Sequence, residues 1–111
     1  MLAFLMQLVH LQNLETKAPR EIKMLFWFVF AGSKGANNRI RIVHILKNDP
    51  NNVHQLSENL GLDYKTVLHH VRVLEKNGFV SKYESSYPIN YSITPQLEFH
   101  MEVFEEIQRQ L

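Results

Sequence analysis

Through the middle of the chain, apolar residues recur at intervals of three and four, the spacing that gathers them on one side of a helix. Ile42, Val43 and Leu46 form one such set behind Asn38, a residue suited to capping a helix start, and Asn48-Asp49-Pro50 stops it. Val53, Leu56 and Leu60 form a second set. Before it, Asn52 and Gln55 stand three apart, so that each side chain can satisfy the other's free backbone N–H. Gly61 ends this helix, because the position after a helix commonly needs a positive φ. Only Leu62 intervenes before Asp63, which caps a third helix with Val67, Val71 and Leu74 inward and Asn77-Gly78 at its end. The period then changes. Phe79 to Tyr83 has strand composition, Glu84 to Pro88 has turn chemistry, and Asn90 to Ile93 returns as a second strand. Thr94-Pro95 opens a last helix, with Leu97, Met101, Phe104, Ile107 or Gln108, and Leu111 on one stripe.

The start of the chain is less decided. Residues 1–14 read as a helix that is apolar nearly all round. Ala18-Pro19 restarts the chain, with Pro19 at a plausible first helical position and Glu21 in the first turn. From Arg20 to Ala31 the aromatics favour a strand and the length favours a helix, and Gly32 to Gly35 closes the run. The apolar stretches 1–11 and 24–31 fall well short of the roughly 18–20 residues that span a bilayer. The first has no basic flank and no small-residue cleavage site, so neither a membrane span nor a signal peptide is expected. Packing or dimer formation is the better use for both stretches, with a surface-lying membrane anchor as the alternative.

Two capped amphipathic helices joined by a short turn containing glycine, followed by a hairpin, predict a mainly α winged helix-turn-helix fold. The division expected is an N-terminal apolar packing or dimerisation segment over 1–32, the winged unit over 33–94 and a C-terminal dimerisation helix over 95–111. Two terminal apolar stripes exceed what a chain of 111 residues can bury alone, which predicts a homodimer through Leu5, Leu8, Phe26, Trp27, Met101, Phe104 and Leu111.

Composition adds little until it is split along the chain. The net charge is +1, but residues 33–82 hold eight basic and four acidic side chains, and residues 83–111 hold one basic and five acidic. A basic middle before an acidic tail suits a polyanion-binding unit with a separate non-binding face. There is no cysteine, which removes disulfides, thiolate nucleophiles and Cys-based zinc sites and fits a cytoplasmic location.

The stretch from Asn52 to Val80 resembles the ArsR-like winged helix transcription regulators. The match rests on Gln55-Leu56, Leu60-Gly61-Leu62, Thr66-Val67, His69-His70-Val71 and Leu74, then Asn77-Gly78-Phe79-Val80. The longer arrangement, with FWFVFAGSKGANNRIRIV ahead of the motif, is similar to a small archaeal branch of that group. The resemblance spans roughly residues 25–107 and implies a cytoplasmic homodimer on operator DNA, with the terminal helices making the dimer contact. Metal-sensing relatives carry a paired-cysteine box on the second helix; VHQLSENL has none, which argues against thiolate metal sensing. Many relatives have Ser where this chain has Leu68, which leaves the detail of base contact open.

A helix in the major groove reads bases with the face opposite its core. With Val67 at zero and about 100° per residue, Lys65, His69, Arg72 and Lys76 fall at about 140–200°. Tyr64 and Leu68 flank that face on one side and Thr66 on the other. Arg72 or Lys65 suits guanine N7/O6, Leu68 suits thymine methyls, and Tyr64, Thr66 and His69 suit phosphates or water-bridged bases. Lys82 on the wing, with Arg39 or Arg41 on the first helix, are the expected phosphate contacts. Otherwise the wing is poor in basic residues, and Tyr87 at its tip either meets a sugar or folds back on the hairpin. A winged module that binds only proteins, or a membrane-tethered regulator, are the alternative functions.

Six histidines raise the question of metal. His69 and His70 diverge by about 100° on a helix and do not readily share an ion; His70 reads as a packed, hydrogen-bonded core-edge residue. His100 with Glu98 or Glu102 is half of a conceivable intersubunit site, whereas Glu102, Glu105 and Glu106 read more simply as a solvated helix face. No phosphate loop, nucleophile elbow or paired catalytic carboxylates are present, so no enzyme activity, metal or cofactor is expected, and no effector is specified.

Overall fold

The structure is a computed structural model that describes residues 16–84 and 86–111. The open choice over 20–31 resolves to a helix, α1 (Arg20–Phe30), entered from Pro19 with Glu21 in its first turn. Phe26, Trp27, Val29 and Phe30 turn inward, while Met24 and Phe28 stay exposed on the far side. Length therefore prevailed over aromatic composition, because one flank is enough to bury these rings.

Helix α2 (Ala36–Asn48) starts earlier than Asn38. Gly35 takes a left-handed conformation, φ +83°, and turns the chain into the helix. A Cβ at this position would lie 2.4 Å from Cε1 of His70, so the close approach as well as the φ requires glycine. After α2 comes a two-residue strand, β1 (Asn51–Asn52), too short to leave a periodic signature. It leads straight into α3 (Val53–Leu60), where the reciprocal capping box of Asn52 and Gln55 forms at 2.8 and 2.9 Å. Gly61 ends α3 at φ +68°, and the chain turns into α4 (Tyr64–Lys76).

The wing is β2 (Val80–Lys82) and β3 (Asn90–Ile93), antiparallel, with Val80 opposite Ile93 and Lys82 opposite Tyr91. β1 pairs on the other side of β3, giving the sheet order β1-β3-β2. Thr94 then fixes the exit. Its hydroxyl donates to the carbonyl of Gly78 at 2.6 Å and accepts the Leu97 N–H at 3.2 Å. The expected single last helix is two pieces, α5 (Pro95–Phe99) and α6 (Met101–Arg109), broken at His100. The break lays the His100 ring edge-on to Phe26, with centroids 6.0 Å apart.

The core is aromatic at its centre. Phe79 packs on Phe26 and Phe30 with centroids 4.7 and 5.3 Å apart, and Phe30 meets Phe104 at 4.9 Å. This corrects the expected dimer contacts. Phe26 and Phe104 are 0% exposed and Trp27 is 6% exposed, so these side chains are consumed inside one chain. Met101 is half-buried against the same core and Leu111 is exposed; Leu5 and Leu8 lie outside the described residues. Glu106, expected on the solvated face, is buried and accepts the Thr16 N–H at 2.9 Å, pinning the chain ahead of α1 to α6. Among the described residues, no helix is long and apolar enough to cross a membrane.

Candidate nucleic-acid interface

The helix pair α3 and α4 meets through the three residues Gly61, Leu62 and Asp63. The Leu62 N–H returns to the Ser57 carbonyl at 3.2 Å, and the half-buried Leu62 side chain packs against the core. Nothing lies within 4 Å of a Cβ placed on Gly61, so here the backbone conformation alone calls for glycine. Asp63 then caps α4. Its carboxylate accepts the Thr66 N–H at 3.2 Å and the Thr66 hydroxyl at 2.5 Å, and those two bonds hold its pKa below the ordinary carboxylate value.

With Val67, Val71 and Leu74 fully buried, the opposite face of α4 presents Lys65, His69, Arg72 and Lys76 to solvent, with Tyr64 exposed at its start. Among the described residues, none of these four side chains forms an ion pair. Leu68 is half-buried and lines a cleft of about 420 Å³ between α4 and the wing, together with Tyr64, Tyr87 and Tyr91. Thr66 is corrected in role. Its hydroxyl hydrogen is committed to Asp63, so it keeps only lone pairs and cannot donate to a phosphate. On the wing, Lys82 is exposed, and Tyr87 is 92% exposed rather than folded back on its hairpin.

The two arginines of α2 diverge. Arg41 is exposed, as expected, although its guanidinium also reaches the Leu60 carbonyl at 3.2 Å and so favours the carboxyl end of α3. Arg39 does not face a phosphate: it is 3% exposed. Its Nε donates to the Val29 carbonyl at 2.8 Å, Nη1 to His70 Nδ1 at 3.1 Å, and Nη2 to the Ser33 hydroxyl. Ser33 in turn donates to the Phe28 carbonyl at 2.6 Å. The arginine therefore satisfies the open carbonyl end of α1 and ties it to α4 through His70.

His70 is buried as a hydrogen-bonded residue, with its ring centroid 5.3 Å from that of His69. Burial first, then the charge of Arg39 and that of His69, holds its pKa below the ordinary histidine value. The folded state thus favours neutral His70. As pH falls below about 6.5 the unfolded chain binds the proton first, and the stabilisation is lost down to the folded pKa. Urea midpoints are expected to drop between about pH 7.5 and pH 5, and to drop less in His70→Gln; equal slopes in both proteins would count against this.

Gly35→Ala is expected to cost about 2–3 kcal/mol, combining left-handed strain with a collision against the His70 ring. Denaturant melts would read this, and a loss within error would mean that the loop moves freely. Beside Gly35, a second cleft of about 450 Å³ is lined by Lys34, Gly35, Asn38, Thr66, His69 and His70. Sequence reasoning passed over Lys34. The signal available was the glycine beside it, which moves the start of α2 up to the lysine. Among the described residues, no group of three metal-ligating side chains converges, and His100 packs on Phe26 and Phe99.

Residues 37–82 match the family described as "Bacterial regulatory protein, arsR family", which covers α2 through β2. No curated protein sequence matches the chain. Among solved structures, the transcriptional regulator HlyU from Vibrio vulnificus CMCP6 shares 19% identity over 81% of this chain and 84% of that one, with a TM-score of 0.61. Rv0081 from M. tuberculosis shares 22% identity over 86% of this chain and 93% of that one, with a TM-score of 0.62. Diamide-treated YodB from B. subtilis gives 19%, 85%, 92% and 0.61 in the same order. The matched description is one of regulatory proteins. The fold is that of a winged helix-turn-helix protein, and residues 37–82 within it are similar to the arsR family of regulatory proteins.

Proposed function

We propose that the chain is a sequence-specific regulator of transcription that binds double-stranded DNA as a cytoplasmic homodimer, with α4 in the major groove and the β2–β3 hairpin as its wing. The observation that carries this reading is the outer face of α4, where Lys65, His69 and Arg72 stand exposed without acidic partners among the described residues. Unpaired hydrogen-bond donors, two of them cationic, on a helix that follows a tight turn suit base edges and phosphates alike. Lys82 and Arg41 supply phosphate contacts on either side. With Phe26, Trp27 and Phe104 committed to the core, the dimer falls to the exposed apolar side chains Met24, Phe28, Phe99 and Leu111, and to residues 1–15. In this reading residues 33–94 form the DNA unit, and 1–32 and 95–111 flank it.

Gel-shift titration against genomic fragments tests the function. Binding no tighter than non-specific binding at low salt would end the regulator reading. With a preferred site in hand, Arg72→Ala is expected to change the preferred sequence, losing roughly 1–3 kcal/mol of discrimination at the contacted base pair. Lys82→Ala is expected to weaken all sequences alike and lower the salt slope by about one. Complexes that survive salt strong enough to strip DNA would point instead to a protein partner. Light scattering reads the dimer directly.

A further inference from the structure

The cleft between α4 and the wing, about 420 Å³, falls in the size range of small-molecule sites. Tyr64 and Leu68 of α4 form one side, and Tyr87, Pro88, Ile89 and Tyr91 of the wing form the other. Three features of these walls point to a ligand and to its chemistry. The first is the state of the tyrosines. Among the described residues, none of the three rings contacts another ring and none of the three hydroxyls makes a hydrogen bond. Tyr64 and Tyr87 are exposed, so two large rings stand at the cleft with their faces free for a stacked or edge-on partner.

The second feature is Tyr91. It is 7% exposed, so the ring is packed, yet its unpartnered hydroxyl keeps accessible surface, and the cleft that the ring lines is the way in. Burial first, then the charge of Glu75, raises its pKa above the ordinary tyrosine value. The group is therefore a neutral hydroxyl, able to donate or to accept. The third feature is the absence of charge. Among the described residues, no Lys, Arg, Asp or Glu lines the cleft, and the exposed His54 at its edge faces Glu58 at 2.6 Å. Lys65 and Arg72 of the same helix are exposed but form no part of the wall. A phosphate here would meet neither lysine nor arginine, whereas an uncharged ring enters with little desolvation cost.

We propose that this cleft binds a neutral, flat aromatic small molecule of one or two rings, packed against Tyr64 and Tyr87 and hydrogen-bonded to the Tyr91 hydroxyl, and that its binding opposes that of DNA. The second half rests on the DNA reading above: Tyr64 and Leu68 border the outer face of α4, and an occupied cleft covers both. Linkage then requires the reciprocal effect, with duplex weakening the ligand by the same factor.

The probe is 2-naphthol, tested beside 2-naphthoate, which adds a negative charge, and decahydro-2-naphthol, which loses the aromatic faces. Each is titrated into the full, isotope-labelled chain while the Leu68 and Ile89 methyl resonances are followed. The expected result is saturable movement of both by 2-naphthol, with a dissociation constant of about a millimolar or below. The saturated alcohol should bind about fivefold more weakly, and the carboxylate at least about tenfold more weakly. Tyr91→Phe, which keeps the ring and its packing, should bind 2-naphthol about fivefold more weakly. No saturable movement, equal binding of the three compounds, or full binding by Tyr91→Phe would overturn the site. Fluorescence anisotropy of a labelled duplex reads the coupling separately. With 2-naphthol at five times its dissociation constant, duplex affinity should fall about sixfold. If 2-naphthol binds as expected and duplex affinity is unchanged, the site stands and the opposition to DNA is overturned. If no duplex binds even without 2-naphthol, that opposition falls with the DNA reading, and the titrations alone uphold or overturn the site.

Discussion

Phe79→Ala is expected to destabilise the fold by about 3–5 kcal/mol, the largest effect of any single substitution considered. Phe79 is fully buried where the chain leaves α4 for the wing, and its ring touches both Phe26 and Phe30 of α1. Truncation removes the transfer energy of the ring and leaves a cavity walled by rigid aromatics that relax poorly. It also frees the junction at which the Phe79 N–H bonds the Leu74 carbonyl at 2.9 Å and the Phe79 carbonyl accepts from Thr94 at 3.1 Å. At a denaturant slope of roughly 1.5 kcal/mol/M, the urea midpoint should fall by about 2–3 M. A loss below about 1 kcal/mol would show that α1 collapses into the gap, and would remove the claim that this cluster organises the core.

Arg39→Met is expected to cost about 3 kcal/mol, although methionine fills much of the same space. The substitution strands the Val29 carbonyl and His70 Nδ1 without their donor, in a place water cannot easily reach. Arg39→Lys should recover only part of the loss, because a single ammonium cannot serve three acceptors set around a planar fork. Equilibrium unfolding of both variants checks this. A methionine variant as stable as the wild type would show that the network contributes nothing to the fold.

The parts of the fold legible in the sequence are those whose bonds close within a few residues. The capping box of Asn52 and Gln55, the left-handed Gly61 and the caps Asp63 and Thr94 all act over two or three positions, and each is present as read. The exposure of Lys65, His69 and Arg72 followed from helical period alone. What escaped reading depends on distant partners. Arg39 looks like a phosphate ligand until Val29 and His70 are brought to it from 10 and 31 residues away. Phe26 and Phe104 look like sticky ends because hydrophobicity specifies burial without specifying against what; α1 and α6 bury each other. β1 is a strand only because β3 lies beside it, and Glu106 reads as a surface residue until Thr16 reaches it. Thr66 was legible in place but not in role, since its hydroxyl hydrogen is spoken for by its own helix cap.

Asn52 is at once the last residue of β1, paired with Asn90 in the wing, and the cap that starts α3. The wing base and the helix pair are therefore geared to one another by a single residue. A push on the hairpin that shifted β3 would pull on the first turn of α3, and through the three-residue turn on α4. The span between the wing and α4 is thus a fixed gauge set by the chain, and whatever fits between them must come already shaped or be bent to it.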